Sequence, residues 1–216
     1  YMLLCSLSVV SAGLFILALL MMLEVKKTYK TFRREIIDNM LIGAFCLGVV
    51  GLVKTLLLEV SSFSMCIMAV LLSPVIEELT KGIIIYCCVI KSRSSPSLKF
   101  LSGYSVGLGF ACAENISYGI LYASICGFYS GFEVMLLRLT FLPIGHTLFS
   151  GLFVVLALKK KPYLGLAAGI LLHSLWNGLV LLGGSSLGIV IIYIAYGLLF
   201  YLLLRSIKNE EISCSW

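Results

Sequence analysis

The chain has 216 residues, of which 61% are hydrophobic and only 12% charged, with a mean hydropathy of +1.10. Ordinary soluble domains carry about one quarter charged residues, so this composition excludes a soluble globular class and points to a polytopic membrane protein. The net charge of +6 sits largely in the connections between apolar runs, which fits an orientation signal and attraction to anionic lipid and argues against nucleic acid as a partner.

Apolar runs long enough to cross a hydrocarbon core of about 30 Å, roughly 17 to 25 residues each, lie near 1–23, 39–59, 62–90, 100–123, 134–158, 163–182 and 187–205. The first exceeds the roughly 7 to 15 apolar residues of a signal-peptide core and reads as a retained helix. No run alternates in the manner of a barrel strand, and only helices satisfy their backbone groups within one segment. The expected fold is therefore all-α, a polytopic helical bundle of about seven transmembrane helices forming one integral membrane domain over 1–216. The stretch 24–38 is expected to hold a short amphipathic surface helix, and 124–133 to be an outer loop.

Basic residues set the orientation. Lys26, Lys27, Lys30, Arg33 and Arg34 fall in the first connection, Lys91, Arg93 and Lys99 in the third, Lys159 to Lys161 in the fifth, and Arg205 and Lys208 after the last run. The positive-inside rule puts these in the cytoplasm and the N-terminus outside. Of the eight cysteines, Cys5, Cys46, Cys66, Cys87, Cys88 and Cys112 lie inside apolar runs, which reads as small packing residues and not as a disulfide framework.

The informative residues are the polar ones at membrane depth. Within "SPVIEELTKGIIIY" (73–86), Glu77, Glu78 and Lys81 occupy little more than one turn, while Glu114, His146, His173 and Asn177 lie on three further helices at a depth common to within roughly 10 Å. Ionised groups at the bilayer centre cost about 2.5 to 3.5 kcal/mol even on mild scales, so a convergent set marks function. Lys54 and Arg138 lie near outer helix ends and read as snorkelling side chains. Small residues recur every fourth position in Gly103, Gly107, Ala111, Asn115 and Gly119, and again in Gly165, Gly169, His173 and Asn177, so these helices are expected to pack at the bundle centre. Pro74 frees a backbone carbonyl and is expected to kink its helix.

Four motifs in order, "EELTK" (77–81), "FACAEN" (110–115), "GHTLFSG" (145–151) and "HSLWN" (173–177), resemble the PrsW family of bacterial intramembrane proteases, which are similar to CAAX prenyl endopeptidases and bacteriocin-immunity-type membrane proteases. The resemblance covers about 70–180, and Asn177 stands where that family often has Asp. It implies an intramembrane endopeptidase in the bacterial plasma membrane that cuts a single-pass membrane protein, such as an anti-sigma factor, in the first step of regulated proteolysis.

Peptide hydrolysis needs an activated water, an oxyanion donor and an acid for the leaving amine. Glu77 is the candidate base, with Glu78 or Glu114 sharing the water or protonating the amine, Lys81 holding a carboxylate, and His173 with Asn177 bracketing the oxyanion. Glu77 and Glu78 point about 100° apart, and spacing alone does not choose between them. Three carboxylates against one ammonium leave two negative charges in excess, so a divalent cation such as zinc on Glu78, His146 and His173 stands beside a metal-free glutamate mechanism. A proton- or ion-coupled transporter would draw on the same groups. Depth arithmetic places the site between the midplane and either surface, with the cut expected near the extracytoplasmic end of the substrate's anchor.

Overall fold

The computed structural model of the chain describes residues 32–60, 64–141, 143–181 and 186–214. Every element among them is helical. Helix α1 is Phe32–Val60. Helix α2 is a continuous run of Met65–Ile67, Met68–Leu72, Ser73–Ile84 and Ile85–Ile90, of which the second and fourth pieces are π-helical. Helices α3 to α7 are Pro96–Cys126, Phe128–Phe141, Pro143–Leu158, Pro162–Leu181 and Ser186–Cys214. The expected spans from 39 onward each find a counterpart, the run at 134–158 being shared by α4 and α5, and the expected span at 1–23 lies outside the described residues.

Among the described residues, Arg34–Leu57, Phe128–Leu158 and Pro162–Leu181 are both long and apolar enough to cross a membrane. Helix α2 is as long, but Glu77, Glu78 and Lys81 fall in its centre and interrupt the apolar signal. The count of seven is thus approximate. The bundle is apolar on its outside and buries a polar, ionisable cluster beside an apolar core. Leu41, Phe45, Leu52, Leu56, Leu171 and Leu175 are exposed, whereas Glu77, Glu78, Lys81, Asn115, His146 and His173 are buried.

Two connections differ from expectation. Helix α3 does not stop near 123 but runs to Cys126, and Gly127, at φ 91°, turns the chain directly into α4 at Phe128. A positive φ suits glycine at a helix end, so in place of the loop expected at 124–133 there is a one-residue turn between helices. At the other end, α1 already begins at Phe32, so the second half of the stretch 24–38 is its first turns and not a separate surface helix. Ser95 starts α3 by accepting from the Leu98 amide at 3.4 Å, with Pro96 in the first turn.

The stripes of small residues do what their spacing implies. A Cβ on Gly43 of α1 would collide with the Val106 carbonyl of α3, and one on Gly109 with the Met40 carbonyl, so α1 and α3 meet backbone to backbone. A Cβ on Gly107 would lie 2.5 Å from the His146 carbonyl, which presses α5 against α3 at the level of the site. On α6, Gly165 meets the α5 backbone and Gly169 faces the Glu78 carboxylate. The apolar core of Ile85, Phe100, Val106, Leu148, Phe149, Phe153, Val154 and Tyr196 lies among α2, α3, α5 and α7 and supports the polar cluster from one side. Cys46, Val50 and Phe110 form a second support beneath α1.

Measured along these helices, Glu77 is 12 residues from Met65 and Glu114 12 residues from Cys126, about 18 Å of path each at 1.5 Å per residue. The two acids thus lie at equal path lengths from the ends of helices α2 and α3 on the same side of the bundle.

Candidate active site

Helix α2 supplies the central acids. The first of its two π-turns follows from its sequence. Pro74 has no amide hydrogen, and the Ser73 amide bonds back to the Met68 carbonyl, five residues away. The Ala69 carbonyl is thereby left without an in-helix donor, and Asn177 Nδ2 of α6 donates to it at 2.8 Å. The expected kink at Pro74 is thus a π-turn closed by a neighbouring helix. One of the two Asn177 amide hydrogens is engaged in that closure. Asn177→Ala should cost about 1–3 kcal/mol, the price of an unsatisfied buried carbonyl, while kcat falls less than tenfold. Thermal unfolding in detergent beside a cleavage assay checks both.

Glu78 and Lys81, one turn apart, form a buried ion pair with Lys81 Nζ 2.6 Å from Glu78 Oε1. Both side chains are almost fully enclosed, at 5% and 1% exposure. Lys81 also donates to His146 Nδ1 at 3.0 Å and lies 4.8 Å from the centre of the Phe110 ring. Since an ammonium only donates, Nδ1 accepts, and in the neutral imidazole Nε2 carries the proton toward Glu114 Oε2, 3.2 Å away. Glu78 Oε1 also meets His173 Nδ1 at 2.9 Å. A carboxylate that already accepts from Lys81 is an acceptor here too, so His173 is protonated at Nδ1, and as a neutral imidazole it presents the lone pair of Nε2.

That lone pair faces another. His173 Nε2 is 3.7 Å from Glu77 Oε2, and Glu77 Oε2 is buried without a hydrogen-bond partner. The other Glu77 oxygen is doubly held, by Lys54 Nζ at 2.5 Å and Ser73 Oγ at 2.7 Å. The His146 and His173 rings stand edge to face at 4.8 Å, with Phe149 stacked on His173 at 5.9 Å. Ligand atoms of Glu77, His146 and His173 all lie within 4.8 Å of one another. The expected metal set named Glu78 with the two histidines. The geometry brings Glu77 to them instead and places Glu78 behind His173, where a carboxylate orients a ligating imidazole.

Two residues read as snorkelling belong to this cluster. Lys54 of α1 pairs with Glu77, and Arg138 of α4 donates to Asn115 Oδ1 at 3.1 Å and to Glu114 Oε2 at 3.4 Å, with its guanidinium 3.7 Å from the centre of the Tyr118 ring. Their depth in their own helices suggested the outer interface, but pairing with a carboxylate across the bundle is worth more than reaching it. Three carboxylates therefore meet three cations, Lys54, Lys81 and Arg138, and the excess of two negative charges is gone. The charge argument for a divalent cation goes with it, and what remains in its favour is the donor set itself. The unbalanced charge was the signal that could have found Lys54 and Arg138.

A helical membrane bundle with buried Glu and His side chains converging in its interior has the layout of an intramembrane hydrolase. The chain belongs to the PrsW family: a family model described as PrsW family intramembrane metalloprotease matches residues 35–204, which takes in all four motifs and also Lys54 and Arg138. It is an intramembrane protease of that family. No curated protein and no solved structure matches the chain.

Proposed function

We propose that this protein is a metal-dependent endopeptidase of the bacterial plasma membrane that cuts the anchor of a single-pass membrane protein, of which an anti-sigma factor is the type. The observation that carries the metal reading is Glu77 Oε2, buried with no hydrogen-bond partner among the described residues and 3.7 Å from His173 Nε2. Two lone pairs so placed repel unless a cation or a donated hydrogen lies between, and with His146 they make a His₂Glu set. A divalent cation held there supplies a Lewis acid and an acidified water.

The protein's own groups account for the rest. Glu78 fixes the His173 tautomer, and Lys81 holds Glu78 and His146 together. In this tautomer the lone pair that His146 would offer the set is at Nδ1, which Lys81 holds, while its Nε2 proton is donated to Glu114 Oε2. Glu114, beside that ring, is the acid placed to exchange a proton with the leaving amine. Arg138 balances the Glu114 charge and keeps that carboxylate at His146. The apolar exterior keeps bulk water from the centre, which strengthens every one of these interactions.

A glutamate-type mechanism is supported by one observation, the closed balance of three carboxylates against three cations. There a water donates to Glu77 Oε2 and His173 Nε2 and no metal takes part. The two are separated by removing divalent ions from the purified enzyme with a chelator. Cleavage of a single-pass reporter should stop and return on adding zinc. Full cleavage by protein shown to be metal-free by elemental analysis would overturn the metal reading and leave the glutamate one.

The orientation proposed, with the N-terminus outside and the C-terminus cytoplasmic, rests on the loop lysines and arginines. Cys126, exposed beside the Gly127 turn, should react with an impermeant thiol reagent in intact cells. In a background lacking the other cysteines, Ser95→Cys should react only after lysis. The opposite pattern would reverse the topology.

A further inference from the structure

We infer that Lys54 is a positioning residue of the catalytic centre, which holds Glu77 so that its free oxygen faces His173. The inference rests on the proposed role of Glu77 and extends it to a helix that carries none of the four motifs. Lys54 Nζ is 2.5 Å from Glu77 Oε1, and Ser73 Oγ donates to the same oxygen at 2.7 Å. A carboxylate gripped by two donors on one oxygen has its other oxygen fixed in direction, and that oxygen, Oε2, is the unpartnered one opposite His173 Nε2. Ser73 lies four residues before Glu77 on α2 and moves with it. Lys54 is different, because it comes from α1 and ties the acid to the helix packed along α3.

Groups that orient a ligating or reacting carboxylate from behind change metal affinity or activity by about 10- to 100-fold when removed. Lys54→Met removes the charge and the donor, Lys54→Gln keeps a donor without the charge, and Lys54→Arg keeps both. Each is measured as purified full-length protein by equilibrium dialysis against buffered zinc ion, by kcat and KM on a single-pass reporter, and by thermal unfolding. Lys54→Met should weaken zinc binding and lower kcat by about tenfold or more, with KM little changed, and Lys54→Arg should restore both. If Lys54→Met fails to accumulate, Lys54→Gln carries the same comparison and should fall between.

The inference is overturned if Lys54→Met, or Lys54→Gln in its place, keeps wild-type zinc affinity and kcat. It is overturned equally if Lys54→Arg fails to rescue at unchanged thermal stability. Wild-type protein that binds no zinc overturns the metal reading alone, and Lys54 is then judged on kcat and its rescue by arginine.

Discussion

His173→Ala is expected to lower kcat by about 10³-fold while leaving an inserted, folded protein. His173 does three things at once. Its Nε2 faces Glu77 Oε2 at 3.7 Å, its Nδ1 occupies Glu78 Oε1 at 2.9 Å, and its ring fills the space between His146 and Phe149. Truncation removes the reacting nitrogen. The loss to the fold is smaller, because Glu78 keeps Lys81 at 2.6 Å and α6 is still packed on α5 through Gly165. The measurement is single-turnover cleavage of a reporter beside thermal unfolding. Cleavage within tenfold of wild type would remove His173 from the chemistry.

Lys81→Met is expected to fail differently, through the fold. The ammonium is 1% exposed and is the donor to both Glu78 Oε1 and His146 Nδ1. Removing one member of a buried pair leaves the other charge uncompensated, at about 3–5 kcal/mol. That is a large part of the stability of an ordinary domain. The variant should accumulate poorly, or unfold well below wild type in detergent, with no cleavage. Double replacement with Glu78→Gln should recover part of the stability, since the stranded charge is gone, but none of the activity. A stable Lys81→Met protein would mean that Glu78 finds another partner.

The fold was legible in the sequence to the extent that apolar length and small-residue spacing decide it. The stripe from Gly103 to Gly119 is buried along α3, and Gly165, Gly169 and His173 are buried along α6. A residue with no side chain marks a close backbone approach whatever its partner turns out to be. The ends of helices were less legible. The gap between the apolar runs ending at 123 and starting at 134 suggested a loop, yet one glycine at positive φ suffices to join α3 to α4.

The site was legible in its identities and not in its pairings. Glu77, Glu78, Lys81, Glu114, His146 and His173 do converge, because ionisable side chains in an apolar bundle have nowhere else to go. Which nitrogen meets which oxygen depends on helix rotation, and the π-turn before Pro74 resets that rotation in a way that 3.6-residue periodicity does not capture. The same turn diverts Asn177 to the Ala69 carbonyl. Lys54 and Arg138 were misread because depth along one helix says nothing of the neighbour that faces it.

The most direct test of the central account, a Glu77-centred peptide hydrolase within the membrane, is mass spectrometry of a single-pass reporter co-expressed with wild type or with Glu77→Gln. The account predicts new termini inside the reporter's membrane anchor with the wild type and none with the variant, at equal amounts of inserted enzyme. An anchor left intact by the wild type, or cut equally by Glu77→Gln, would contradict it.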